Sequence, residues 1–192
     1  MSKRVFFSFH YQDVIDFRAN VVRNHWLTKP NRDSAGFFDA SVWEKAKKES
    51  KIALKRLING AIKGTSTSCV LIGDQTYARN WVRYEIFHSI YSGNALFGVH
   101  INNIKDKHQR VKNLGPNPFN NLGLYSSEDG KKVSPVFLEK NKWHYFSDYP
   151  GYSLNTPWVN HKGKVRSLTE IGHKVYNWTS DDGFNNFASW VG

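Results

Sequence analysis

Residues Ser68-Cys69-Val70-Leu71-Ile72, SCVLI, form an unbroken run closed by the turn-forming Gly73-Asp74-Gln75-Thr76. A strand with one wet face alternates apolar and polar residues. This run does not alternate, so it reads as a strand covered on both sides. Working outward, Val5-Phe6-Phe7-Ser8-Phe9-His10 and the run ALFGVHI at residues 95–101 have the same character. Helical periods separate them. Ile15, Ala19, Val22 and Trp26 make an apolar stripe through residues 14–27, with Asp13 at the N-cap position. A second helix is expected over residues 42–62, lysine-rich on one face, with Leu54, Leu57, Ile58, Ala61 and Ile62 inward and Gly60 and Gly64 bracketing its end. A third opens at Asn80 and runs to about Tyr91, with Val82, Ile86 and Ile90 toward the core. Pro30, Asn31, Asp33, Ser34 and Gly36 read as a loop, and Phe37-Phe38 as a brief second strand. Strand-helix alternation of this kind predicts an α/β protein with a largely parallel sheet and right-handed crossovers.

The second half carries weaker signals. Residues 102–124 are rich in Asn, Gly, Pro and Lys and read as a long loop. Residues 133–138 and 143–146 have strand composition, and residues 149–165 look irregular. Ser167-Leu168-Thr169-Glu170 fits a capping box, which would start a helix. Lys174-Val175-Tyr176-Asn177-Trp178 competes as the fifth strand, and Phe184, Phe187 and Val191 are spaced for a closing helix. The expectation is a single domain over 1–192, with core motifs in 4–101, extended loops in 102–165 and a terminal strand and helix in 168–191.

Composition narrows the function classes. A length of 192 residues, 40% hydrophobic and 15% aromatic, suits a globular domain with a sizeable core. No run of about 18 apolar residues exists to span a membrane. The start, MSKRVFFSFHYQD, has a short apolar run and no small-residue cleavage site after it, so it reads as a strand and not a signal peptide. A cytoplasmic location is the expectation. One cysteine excludes an internal disulfide framework and a multi-cysteine zinc site, and the eight histidines show no metal-binding spacing, so no metal is expected. The 27 basic and 16 acidic side chains give a net charge of +11, which favours anionic partners. Residues 45–56 and 105–112 hold much of that charge. With no helix-turn-helix, zinc finger or RNP-type motif beside them, they read as solvated surface and not as a nucleic-acid groove.

In an open parallel sheet, ligands bind beyond the carboxyl ends of the strands, where strand order reverses. That rule gathers Ser8 and His10 from the first strand, Asp39 from the second, and Asn80 with the helix carrying Glu85 from the third. Trp81, Glu85 and His88 fall on one stripe of that helix, beside the core stripe. By helix spacing alone, an exposed Glu85 paired to His88 or Arg83 is the simpler reading. Rival constellations are absent from the sequence: Cys69 sits inside an apolar strand as an inert thiol, Gly60, Gly64 and Gly73 make no phosphate loop, and no pair of carboxylates suits ordinary glycoside hydrolysis.

Taken together, RVFFSFHYQD, GFFDAS, SCVLIG and NWVRYE resemble the TIR domain, and more narrowly the bacterial TIR-like branch that supplies the sensor protein of the Thoeris anti-phage system. The resemblance covers residues 4–101 closely and continues loosely through GPNPFNNLG and the terminal VYNWTSDDGFNNFASWV. It implies a flavodoxin-like sheet of five strands in the order 2-1-3-4-5. It also implies an enzyme that cleaves NAD, its substrate, at the nicotinamide–ribose bond and needs no cofactor. The product would be a cyclic ADP-ribose isomer that diffuses to an NAD-depleting effector. Glu85 matches the family's catalytic glutamate in the W-x-x-x-E helix, and residues 37–43 take the place of the loop that contacts substrate. The substrate-binding candidates are then Ser8, His10, Asp39 and Asn80, with Phe6, Trp81 and Tyr84 as a dry aromatic wall and the basic surface attracting the pyrophosphate. Self-association and a phage-derived trigger are further implications, as is a role for the long second half in covering the site or binding the trigger. Two other readings stay open: a non-catalytic TIR scaffold or adaptor, and a basic nucleotide- or nucleic-acid-binding α/β domain. Nucleoside deoxyribosyltransferases, with a similar fold and a catalytic glutamate, fit the loop and helix motifs less well.

Overall fold

In the computed structural model, which describes residues 3–38 and 40–192, the SCVLI run lies in Thr67–Ile72 (β3), and all six of its residues are buried. Lys3–Phe9 (β1) and Ala95–His100 (β4) flank it in parallel register, Arg32–Ala35 (β2) adds to β1, and the late strand Val175–Asn177 (β10 in chain order) adds to β4. The order β2-β1-β3-β4-β10 is the expected doubly wound sheet of five strands, and every pairing in it is parallel. Strand order reverses between β1 and β3, which places the crevice there.

Side-chain alternation in β1 divides the work between the two faces. Val5 and Phe7 join Cys69, Leu71, Phe97 and Val99 in a core completed by Ala19, Val22 and Trp26 from Arg18–Leu27 (α2) and by Phe187 and Val191 from Gly183–Val191 (α7). Phe6 and Ser8 point the other way, toward Asn80–Tyr91 (α5), which lies against β1, β3 and β4 and carries Lys51–Ile62 (α4) on its side. Burying these apolar stripes on both faces is the main stabilising term, at about 25 cal/mol per Å² of apolar area removed from water.

Several boundaries differ from the sequence reading. Residues 14–27 do not make one helix. Tyr11–Ile15 (α1) ends early, Phe17 turns left-handed at φ 63°, and α2 starts afresh at Arg18. Asp13 is therefore inside a helix and is not its cap, and Ile15, expected in the buried stripe, is half exposed. The helix expected over residues 42–62 is likewise two, Ala40–Glu49 (α3) and α4. Ser50 between them is extended and its Oγ accepts from the Ala53 amide at 3.0 Å, an N-cap that restarts the helix. The second strand comes before Phe37-Phe38, because Gly36 at φ +93° turns the chain under the Phe7 carbonyl, which leaves no room for a Cβ. Phe37 packs on Phe7 and Phe9 with ring centroids at 5.7 and 4.4 Å, so it adds to the core as a loop residue. In α7, Phe184 is exposed while Phe187 and Val191 are buried.

After β4 the chain is tied back by a buried guanidinium. Arg18, 1% exposed, donates from Nε to the Ile104 carbonyl at 2.9 Å, from Nη2 to the Arg110 carbonyl at 2.8 Å, and from Nη1 to Asp16 at 3.0 Å. Lys112 pairs with Asp16 as well. These bonds replace hydration that the buried charge has lost.

The chain folds as two compact units, one running to Gly115 with Val175–Gly192 and the other Pro116–Lys174. The second unit, expected to be mostly irregular, contains Pro118–Asn121 (α6) and the strands Leu122–Ser126 (β5), Lys132–Glu139 (β6), Lys142–Tyr145 (β7), Tyr152–Ser153 (β8) and Val165–Ser167 (β9). They pair antiparallel in the order β7-β6-β5-β9, with β8 also on β6. The strands at 132–139 and 142–145 match the sequence reading. Ser167 and Glu170 do make the reciprocal capping-box bonds, Ser167 N–H to Glu170 Oε2 at 2.7 Å and Glu170 N–H to Ser167 Oγ at 3.3 Å. They close a turn, however, and no helix follows.

Candidate active site

A cavity of about 280 Å³ opens at the carboxyl edge of β1, bounded by Gly36, Phe38, Trp43, Glu44 and Lys47 on one side and the start of α5 on the other. It is below the ~300–1,000 Å³ of clefts that enclose drug-sized ligands, so it has room for part of a dinucleotide and not the whole. Its aromatic wall comes from Phe9, Phe38, Trp43 and Trp81, and its charged groups from Glu44, Lys47, Arg79 and Glu85.

Glu85 is 6% exposed, which disposes of the exposed pairing with His88 or Arg83. Helix spacing put it on the flank of α5. What buries it is the opposing surface: β1 presents Ser8, 2% exposed, whose Oγ donates to Glu85 Oε2 at 2.5 Å across 77 residues of sequence. Burial disfavours the charged form and pushes the carboxyl from its ordinary 4.5 up to about 8, with the Ser8 bond pulling it partly back. At neutral pH the resting group therefore carries a proton. His10 also lines the cavity; burial lowers its pKa, and the charges of Arg79 and Lys112 lower it further against Asp74, which leaves a neutral imidazole.

The other candidates divide by placement. Trp81 lines the cavity beside Glu85. Phe6 is fully buried against the α5 side of the sheet and does not line it. Tyr84 is 4% exposed and turned away: its hydroxyl donates to Asn59 Oδ1 at 3.0 Å, and the Lys55 ammonium lies 5.1 Å over its ring. The aromatic wall is thus Trp43 and Phe38, stacked at 5.7 Å, with Phe9 and Trp81, and not Phe6 and Tyr84. Asn80 begins α5 in an exposed position outside the cavity lining. Asp39 lies outside the described residues. Ser8 reaches the site through Glu85. Sequence reasoning did not single out Lys47, Glu44 or Arg79; an amphipathic lysine run does not say which member turns toward a cavity.

In α1, Asp13 is 1% exposed, and neither carboxylate oxygen has a hydrogen-bond partner among the described residues. Burial raises it to about 6, with Lys112 and Arg18 opposing the shift. It lies so close to Gly73 that a side chain there would overlap the carboxylate, which explains the glycine after β3. Cys69 is fully buried, and desolvation pushes its thiol up, as an inert core cysteine should be. Among the described residues no group of three or more His, Cys, Asp or Glu side chains could hold a metal ion.

A parallel sheet in this order, with a W-x-x-x-E helix leaving its third strand and delivering one buried carboxylate to the switch-point crevice, defines a TIR-type α/β protein. Residues 6–106 match the family described as Thoeris protein ThsB, TIR-like domain. Over the full length of both chains the protein is 56% identical to a Bacillus cereus (strain MSX-D12) protein named "Putative cyclic ADP-D-ribose synthase ThsB1". The chain belongs to the Thoeris ThsB TIR-like family.

Proposed function

We propose that this chain cleaves NAD between nicotinamide and ribose and joins the remaining ADP-ribose to itself, releasing nicotinamide, a cyclic ADP-ribose isomer and a proton. The observation that carries this reading is the buried Glu85 carboxyl, held by Ser8 in an aromatic-walled cavity at the switch point. The name of the full-length relative supports it.

The chemistry asks little acid–base work of the protein. As the glycosidic bond breaks, its electron pair goes to the pyridinium nitrogen, so nicotinamide leaves neutral without a general acid. Positive charge moves onto the ribose carbon and ring oxygen, where the Glu85 carboxylate stabilises it. An opposite charge within about 4–6 Å lowers a carboxyl pKa by ~1–3 units, so the cationic substrate itself drives the resting proton off Glu85. A nucleophile from the adenosine end then attacks the ribose carbon, and its proton passes to Glu85. Trp43, Trp81 and Phe38 keep water away at that moment, which favours ring closure over hydrolysis. No separate cofactor enters these steps.

The cyclic product would act on a separate NAD-depleting effector, with a phage-derived trigger and self-association controlling the enzyme. Among the described residues no helix is long and apolar enough to cross a membrane, and we place the reaction in the cytoplasm. Wild-type and Glu85→Gln proteins should be compared with NAD, both purified and in extracts of phage-infected cells, by mass spectrometry of nicotinamide and cyclic product. Loss of a charge that acts in the transition state should lower product by roughly a hundredfold or more. In the wild type, kcat/KM should rise toward pH 8 with the free-enzyme pKa, and kcat should level off at lower pH. Product at wild-type levels from Glu85→Gln defeats the proposal.

A further inference from the structure

We propose that Arg79 and Lys47 form the pyrophosphate subsite of this cavity, a placement that rests on the NAD reading and assigns the dinucleotide its orientation. Charge balance is the first argument. Of the charged groups lining the cavity, Glu44 lies 3.7 Å from Lys47, and Glu85 is protonated at rest. Arg79 has no ion pair or side-chain hydrogen bond among the described residues, so its charge is uncompensated there, and His10 already feels it. Among the described residues, Arg79 is the lining charge that an anionic ligand would balance.

Reach is the second argument. Arg79 stands six residues before Glu85, directly ahead of α5, which separates the two by about 9 Å along the axis at 1.5 Å per residue. A ribose held at Glu85 is joined to its phosphate through one methylene, and the guanidinium on its flexible stem spans that interval. Size is the third. About 280 Å³ takes the nicotinamide riboside half, so the phosphates must emerge at the rim, where Arg79 and Lys47 are exposed. The guanidinium presents paired donors suited to phosphate oxygens. Lys47 can exchange its weak exposed contact with Glu44 for the second phosphate.

The test uses full-length Glu85→Gln protein, which binds without turning over, and titration calorimetry with ADP-ribose, inorganic pyrophosphate and adenosine. Arg79→Ala should weaken ADP-ribose roughly ten- to a hundredfold, Arg79→Lys less, and Lys47→Ala by a smaller factor, with adenosine unchanged. Pyrophosphate should lose affinity in parallel with ADP-ribose. Melting curves check folding, which exposed positions should leave unaltered. No ADP-ribose binding with both cations present, a change under twofold in Arg79→Ala, or an equal loss for adenosine overturns the subsite. On the Glu85 background, NAD turnover with unchanged KM in Arg79→Ala removes the subsite and leaves the enzyme reading intact. Arg79-dependent ADP-ribose binding in a protein that never cleaves NAD removes the enzyme reading and leaves the subsite.

Discussion

Replacing Glu85 with glutamine preserves shape and removes a proton equilibrium, and the structure gives the consequence a sign and a size. The folded carboxyl titrates at about 8 against an ordinary 4.5, so between those values the native protein holds a proton that the unfolded chain has released. The stability this group contributes is complete below the unfolded value and is lost as pH rises through the folded one. In that window each pH unit removes about 1.4 kcal/mol, so about 3 kcal/mol disappears between pH 5 and pH 7.5. Glutamine has nothing to titrate and escapes the decline. Asp13, raised to about 6, titrates in both proteins and cancels in the difference. Urea unfolding followed by tryptophan fluorescence, run across that pH range, gives the comparison directly. The stability of Glu85→Gln minus wild type should grow by about 3 kcal/mol, or ~6–12 °C in Tm for a chain of this size. A difference that stays flat with pH refutes the reasoning, because Glu85 would then ionise as an exposed glutamate does.

Two further expectations concern the elements that hold Glu85 and close the cavity. Ser8→Ala removes the bond that partly restrains the carboxyl, so its pKa should climb further; the kcat/KM profile moves to higher pH, with about 1 kcal/mol of stability lost in denaturant titration. An unmoved profile would mean that Ser8 does not set the state of Glu85. Gly36→Ala places a Cβ on the Phe7 carbonyl at a left-handed φ and should cost about 1–3 kcal/mol in thermal unfolding while displacing Phe37 and Phe38. Melting indistinguishable from wild type would show that the turn is free to relax.

The five-stranded sheet was legible because its strands announce themselves locally. β1, β3 and β4 are apolar runs, α5 occupies residues 80–91 as its periodicity indicates, and the late β10 strand keeps its β-rich composition. β2 was misplaced for the converse reason. It is a short edge strand, and Arg32, Asp33 and Ser34 carry no apolar signal. The split between α3 and α4 was hidden because one capping serine interrupts a period that otherwise continues. The antiparallel sheet in Pro116–Lys174 was missed because its short strands become stable only when paired with partners many residues away.

The candidate site divides in the same way. Local patterning determined the strands, the helix after β3 and the presence of one tryptophan and one glutamate on its flank, since period and composition are properties of neighbouring residues. Tertiary structure decided that Glu85 is buried and protonated, that Ser8 is its partner, that Trp43 and Phe38 form the wall expected of Phe6 and Tyr84, and that Lys47 and Arg79, out of 27 basic residues, face the cavity. Burial and pairing are relations between segments up to 77 residues apart in the Ser8–Glu85 bond. The low-dielectric surroundings that set a carboxyl's pKa exist only once those segments meet.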